Sequence, residues 1–598
     1  MQTIRFDEVN DEGLLACDLL IVGGGAAGLT IAREFFGTGV RVLVVESGDL
    51  AERPETDRLN AVDVAADVWS PAQVERRRAF HGSLTSSWSH EGQSFGVRCR
   101  VLGGSTHAWA GKSAAFDEID MRPRPWVAQS GWPIQRAELD GVLDRAARHL
   151  NLGPNCYDDS LWDVARRKPP EPRPDPRVLR SFFWQFARSR IDPLDLLRMG
   201  PEFQREQADN IRVLLGATVT AIRLKDDATT FDFVEVASLS GKRGKVRAQT
   251  CVLAASAIEN ARLLLASRTE QRNGIGNAHD TVGRFLTDHP SLVIGHFARE
   301  HVATMNRTFG FIGVPKDHTL TMYMRGLAPT DAVQEREKML NCAVFMMSER
   351  APDDPWDAMK RLLRGRSKSV LADVTAIATS PKLVAMGVGR KLFQSRHFPG
   401  AIRTAMVNLL IRFNPNFVVE EFQTGGIPHK LVGMSVQAIC EQPPERHNRV
   451  GLSDRLDPLG VPMPRVDWSV SDDVARSIAR LGLMMRDEFA SVGLPPLVLD
   501  DWIVKGEFAK ATFIDMAHTA GTTRMARDPR EGVVDENCKV FGTEGLFVAG
   551  ASVFPTSGHA NPTLMIVSLA IRLADHLKHV ASRAPEKTVR SAVPLSTV

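Results

Sequence analysis

The chain has no CxxC pair. Its 7 cysteines, at positions 17, 99, 156, 251, 342, 440 and 538, are scattered over 598 residues, so neither a zinc site nor a disulfide framework is expected, only buried thiols in a reducing compartment. There is no charge excess either. Lys+Arg 74 against Asp+Glu 71 leaves +3, so no global charge draws the chain to nucleic acid, whose binding needs a clustered basic face, and none is expected as partner. No apolar run reaches the ~18 residues of a membrane span. The opening MQTIRFDEVNDEG lacks the basic and apolar segments of an export signal. The expectation is a cytoplasmic protein without a metal, and with no internal repeat or low-complexity tract. The length exceeds one compact core and suits about two to four domains.

What is present begins with DLLIVGGGAAGLTIAREFFGTGVRVLVVESG. An apolar strand, Leu19 to Val22, leads into Gly23-x-Gly25-x-x-Gly28. A helical stretch that Ala26 helps to open follows, and a second strand, Val42 to Val45, ends in Glu46. A bare GxGxxG is weak evidence, but strand, loop, helix, strand and terminal acid together make the dinucleotide fingerprint. The glycines let the backbone approach a pyrophosphate at a helix N-terminus, and Glu46 can accept from a ribose hydroxyl. This unit does not separate NAD from FAD.

A second glycine-rich loop, RVLGGSTHAWAGK at residues 100–112, follows. With it the chain resembles the glucose-methanol-choline (GMC) oxidoreductases, flavoproteins that dehydrogenate alcohols. The resemblance implies FAD as cofactor, with Gly103, Gly104 and Ser105 lying along the flavin. Some members of that family bind FAD covalently through a histidine five residues after the first glycine of the pair. That position is Ala108 here, so non-covalent FAD is expected, with His107 in the pocket.

Two segments read as returning βαβ pieces of a flavin domain: strands around a glycine turn in 210–224, and strand, small-residue turn and helix in 250–267. By the resemblance, Val219 and Ala255 border the adenosine. AIENARLLL departs from the choline-oxidase and glucose-oxidase pattern. It is closer to the bacterial sugar- or glycoside-oxidising and pyranose-oxidase-like branch, which tilts the substrate toward a carbohydrate.

From about 295 to 510 alternating segments suggest a mostly antiparallel sheet roofing the flavin. Glu441 and Gln442, at the end of one apolar strand, are the polar substrate contacts nominated there. Between Lys360 and Arg412 stand eleven Lys or Arg and one acid, Asp373. Such basic amphipathic helices serve as a lid with a solvated face, rest on an anionic membrane or partner, or meet an acidic substrate. PPEPRPDPRVLR, at 169–180, reads as a connector carrying a loop over the active site.

The C-terminal segment returns to the cofactor. Gly545 to Ala549 reads as a strand, and Gly550, Ala551 and Ser552 as a turn reaching the pyrophosphate. Asn561 stands as N-cap and Pro562 as first-turn proline of a last helix that includes Thr563. The partial positive charge of that helix end suits a reduced flavin. By the resemblance, His518 in AHTAGTTRM is the catalytic base, Asn561 its partner, and His559 a flanking residue. A neutral imidazole near pKa ~6.5 can take an alcohol proton while the adjacent carbon gives hydride to flavin N5.

The fold expected is α/β, α+β overall: a Rossmann-like FAD-binding domain assembled from 1–170, 205–294 and 511–585, with a connector at 171–204. A substrate domain at 295–510 carries the helical insert near 355–415, and 586–598 is a tail. The function expected is FAD-dependent oxidation of a hydroxyl of a sugar, glycoside or aminocyclitol, with oxygen, quinone or a protein as electron acceptor. Two alternatives stay open: oxidation of a sterol, terpenoid or other apolar alcohol at a membrane surface, and a non-redox flavin-binding protein.

Overall fold

The apolar runs Leu14–Val22 and Val42–Glu46 pair in parallel at the centre of an eight-stranded sheet. Leu19 to Val22 and Val42 to Val45 are buried throughout, as expected of parallel strands covered on both faces. In the computed structural model the described residues are 2–9, 14–64, 68–85, 88–192, 195–316, 319–363, 367, 369–393, 405–406, 409, 412 and 429–583. The order across this first sheet is Gln2–Arg5, Ile211–Leu215, Val42–Glu46, Leu14–Val22, Arg243–Leu253, Phe231–Ala237 and Thr218–Leu224. The long strand Arg243–Leu253 takes Phe231–Ala237 beside its first half and the C-terminal strand Leu546–Val548 beside its end. Leu253 is in register with both Val22 and Val548, and Val22 with Val45. Four carboxyl ends are therefore level, and they form the edge where an open α/β sheet binds its ligand. The first helix, Ala26–Glu34, packs against the last, Thr563–Arg583.

The second sheet is antiparallel and runs Val498–Leu499, Ser291–Ala298, Leu431–Cys440, Cys342–Arg350, Thr319–Pro329, Leu179–Phe186 and Lys112–Ser113, with Phe311–Lys316 also on Thr319–Pro329. Helix Asp472–Ser491 covers one face. Its Val474, Ile478, Leu481 and Met485, at helical spacing, share a core with Ile294, Val344 and Val436. A small third sheet joins Arg449–Leu456, Pro462–Asp467 and Asp63–Val64.

The second sheet draws strands from outside 295–510. Leu179–Phe186 falls where a connector was expected, because its burial on nearly every residue erases the alternation that marks an exposed strand. No residue of 169–178 lines the main cavity, so the proline-rich stretch carries no loop over it. In the insert, helices Pro355–Leu363, Val370–Ala378 and Pro381–Phe393 are described. Arg361 and Ser367 fasten Asp373, the Ser367 hydroxyl at 2.7 Å. The side chains of Arg390 and Lys391, most of 394–428 and the tail 586–598 lie outside the described residues. Among the described residues no single helix is long and apolar enough to cross a membrane.

Candidate functional site

A cavity of about 1220 Å³ opens between the carboxyl edge of the first sheet and one face of the second. Its first wall contains Gly23, Gly25, Ala26, Glu46, Gly104, Ser105, Val219, Ala255, Gly550, Ala551, Pro562 and Thr563. Alternate residues of the second sheet, Phe345 with Met347 and Gln437 with Ile439, make the opposite wall.

The residues of the first wall fit a dinucleotide. Gly25 occupies the N-cap position of Ala26–Glu34 and brings no side-chain acceptor, so the N–H groups of the first turn face the cavity. The two glycine loops touch: a Cβ on Gly104, whose φ is +54°, would stand 2.9 Å from Gly25 Cα. Gly28 and Gly103 do not line the cavity. A Cβ on Gly28 would come 2.0 Å from the Gly23 carbonyl and one on Gly103 2.6 Å from Gly200 N, so these two glycines shape the loops from behind. The Glu46 carboxylate accepts from Gly24 N–H (2.8 Å) and Gly48 N–H (2.7 Å), beside Ser47 and Thr218. Burial pushes this carboxyl up against the pull of those two amides.

His518 and Asn561, 43 residues apart, meet at the cavity wall, with Asn561 Nδ2 3.3 Å from His518 Nε2. A third residue, absent from the sequence reading, completes the group: His289 Nδ1 is 2.9 Å from His518 Nδ1. His289 Nε2 lies 3.3 Å from the Ser557 carbonyl, which can only accept. His289 therefore donates from Nε2 and accepts at Nδ1, His518 donates from Nδ1, and His518 Nε2 keeps a lone pair facing Asn561. Burial, then His289, then Lys112 hold His518 well below the usual histidine range. Burial lowers His289 to about 4. The Asp288 carboxylate accepts from both His289 N–H (2.7 Å) and Met516 N–H (2.9 Å), tying together the two segments that carry the histidines. Behind them Asp515 accepts from Arg77 Nε at 2.6 Å and Gly96 N at 2.9 Å.

Other residues singled out in the sequence have different surroundings. Glu441 is fully buried and accepts from Arg124, at 2.7 Å for one pair of atoms, and from Asn341 N–H at 2.6 Å. The strand ends at Cys440, so the alternation that aims Gln437 and Ile439 at the cavity stops short of it. Gln442 accepts from Trp468 Nε1 (2.8 Å) and Asp288 N–H (3.1 Å), bracing the His289 segment. Neither residue lines the cavity. His107 turns its ring to the Leu102 carbonyl (Nε2, 3.1 Å), away from the cavity, and Ala108 lines it instead. His559 is fully buried between Phe182 and Trp184, with ring centroids at 4.5 and 6.1 Å and neither nitrogen hydrogen-bonded. The last helix starts one residue later than expected: Ile566 N–H donates to the Pro562 carbonyl, so Pro562 takes the cap position and the Asn561 amide is left for His518.

A family model described as GMC oxidoreductase matches residues 444–570. Paromamine 6'-oxidase of Streptomyces fradiae is 23% identical over 93% of this chain and 90% of its own length. The fructose dehydrogenase large subunit of Gluconobacter japonicus is 25% identical over 94% of this chain and 97% of its own. Among solved structures, an FAD-dependent oxidoreductase from Chaetomium thermophilum shares the fold with a TM-score of 0.52 and 18% identity, over 95% of this chain and all of that one.

Proposed function

The chain is a GMC oxidoreductase, and from that footing we propose that it oxidises a hydroxyl of a sugar, glycoside or aminocyclitol to a carbonyl, with FAD held non-covalently. The observation that carries this reading is the unprotonated His518 Nε2, 3.3 Å from Asn561 Nδ2 at the cavity wall. An alcohol oxygen entering there accepts from the Asn561 amide and gives its proton to His518 Nε2. Asn561 thereby fixes which C–H is presented. Bound FAD supplies the hydride acceptor. The likeness to paromamine 6'-oxidase and fructose dehydrogenase supports a sugar-like alcohol. Non-covalent attachment rests on Ala108 at the cavity and on His107 turned from it.

Anaerobic mixing with a panel of alcohols and glycosides should bleach the flavin, whereas a protein that only binds flavin gives no reduction. His518→Ala should keep FAD and lose on the order of 10²–10⁴ in reduction rate, the scale of general base catalysis. Asn561→Ala should lose less, because a neutral contact is removed. His559→Ala should cost less than either, and a His559 variant slower than the His518 variant reverses the assignment. Acid precipitation should release FAD into the supernatant, and flavin left in the pellet overturns the non-covalent reading.

One observation favours a second reading for the insert. Helix Val370–Ala378 exposes Val370, Leu371 and Val374, at 62%, 79% and 49%, within a segment of eleven cations and one acid. An anionic membrane surface complements both features. Co-sedimentation with phosphatidylserine vesicles at physiological salt, lost in Leu371→Glu, is expected. Absence of binding to those vesicles leaves the insert as a lid, and binding that ignores the substitution overturns contact through this helix.

A further inference from the structure

The short edge strand Lys112–Ser113 pairs with Gln185 and Phe186, and the alternation of a strand sends its two side chains opposite ways. Ser113 is fully buried, while Lys112 lines the cavity that also contains Phe345, Gln437, His518 and Asn561. The Lys112 ammonium stands 3.5 Å from the centroid of the Phe345 ring and 4.1 Å from that of Trp184. Two aromatic faces hold its charge, but rings accept no conventional hydrogen bond, and an ammonium has three N–H groups to place.

Other enclosed cations find oxygen acceptors: Arg77, Arg124 and Arg262 pair with the carboxylates of Asp515, Glu441 and Asp457, and Arg325 and Arg524 donate to hydroxyl or carbonyl oxygens. Among the described residues no carboxylate forms an ion pair with Lys112, and no oxygen accepts from it. Burial alone pushes its basicity down, with no acid near enough to oppose it. An unpaired enclosed ammonium is costly. Lys112 stands at a cavity wall where an incoming carboxylate can bring the missing acceptors and favour the charged form.

We propose that Lys112 sets the charge preference of the substrate cavity: its ammonium donates to an oxygen acceptor on the substrate, a carboxylate above all, and repels alcohols that carry an ammonium group. The inference rests on the reading of this cavity as an alcohol site and narrows its substrate class, from sugars of any charge to acidic and neutral ones. Among sugar-like alcohols the favoured class is uronic acids and other polyhydroxy acids. Aminocyclitols, whose amines are protonated near neutral pH, are disfavoured. Lys112 also acts on His518, whose basicity its charge lowers after burial and His289 have done so.

The test uses the FAD-loaded protein and two probe series. Calorimetry with cyclohexanecarboxylate, cyclohexanecarboxamide and cyclohexylammonium compares one ring in three charge states. The carboxylate should bind tightest and the ammonium weakest, with a ratio on the order of 10², the scale of a charged hydrogen bond replaced by like-charge contact. Lys112→Met should keep FAD and bring the three within a few-fold of one another, and Lys112→Arg should restore the order. Equal affinities in the unsubstituted protein, or an order unchanged in Lys112→Met, overturn the proposal. If Lys112→Met loses FAD, Lys112→Gln, which keeps a neutral polar group, is read in the same way. Anaerobic flavin reduction by glucuronate, glucose and glucosamine separates the two readings. Reduction without any charge order defeats the role of Lys112 alone, and charge-ordered binding without reduction by any sugar defeats the substrate reading alone.

Discussion

Because a carbonyl can only accept, the contact between Ser557 and His289 reaches two residues further than it touches: it sets the proton on His289, hence the proton on His518, and hence the free lone pair facing Asn561. His289→Leu removes the acceptor for His518 Nδ1–H, and flavin reduction should slow by roughly tenfold, the worth of one neutral hydrogen bond. His289→Gln keeps a carbonyl oxygen there and should recover most of the rate in stopped-flow reduction. The same environment fixes the pH response. Burial holds His518 well below 6.5, and a base whose pKa is lowered stays unprotonated as pH falls through the ordinary histidine value. Reduction by a neutral sugar should therefore show no loss with a midpoint near 6.5 between pH 8 and 5.5. Asp288, which burial raises to about 7, titrates in this range beside both histidines, so a midpoint that persists in Asp288→Asn would mean that His518 titrates as if in solvent. His518 and Asn561 stood out in the sequence because a family pattern surrounds them. His289 and Lys112 carried no local pattern, since their neighbours, His518 at 229 residues and Phe345 in another strand, are assembled only by the fold.

At the scale of elements, legibility followed the range of the interactions. The strand, loop and helix that begin at Leu19 were readable because glycine spacing, helix N-terminus and terminal acid lie within about twenty residues; the strand's first half, Leu14 to Asp18, was not. Leu179–Phe186 was not, because its partners are Thr319–Pro329 and Lys112–Ser113 and both its faces are covered. Glu441 attracted attention as a polar strand end, yet its parity with Gln437 and Ile439 lost meaning once the strand stopped at Cys440. The glycine loop offers a direct contrast. Gly28→Ala sets a methyl 2.0 Å from the Gly23 carbonyl, so the loop must move, whereas a Cβ on Gly39 meets nothing within 4 Å. Gly28→Ala should bind FAD at least about fivefold more weakly, from roughly 1–3 kcal/mol of overpacking. Gly39→Ala should match the unsubstituted protein in the ratio of 450 to 280 nm absorbance. Equal flavin content in both would remove the loop's tight packing as a condition of cofactor binding.

Across the whole molecule the two sheets are joined by buried polar groups, and His559 is the one whose energetics can be isolated. It lies between Phe182 and Trp184 of the second sheet, four residues before the last helix, which packs on the helix Ala26–Glu34 of the first, and it has no hydrogen bond. Burial lowers its pKa to about 3, from 6.5 when exposed. A lowered basic group binds fewer protons folded than unfolded, so its contribution to stability is full above 6.5 and is lost as pH falls from 6.5 toward 3. The rate of loss is about 1.4 kcal/mol per pH unit. Asp120 and Asp288, whose carboxyls burial pushes up, act in the opposite sense over part of this range, so the net acid sensitivity of the chain does not report on His559 alone. Comparison with a variant that cannot titrate does. His559→Leu removes the one group and leaves both carboxylates in place, so the stability difference between the two proteins should move in favour of the variant by about 2 kcal/mol from pH 7.5 to pH 5. Urea unfolding of the FAD-loaded proteins at the two pH values measures it. A difference that stays constant would show that His559 protonates equally in the folded and unfolded chains, and so that the wall between the sheets admits water.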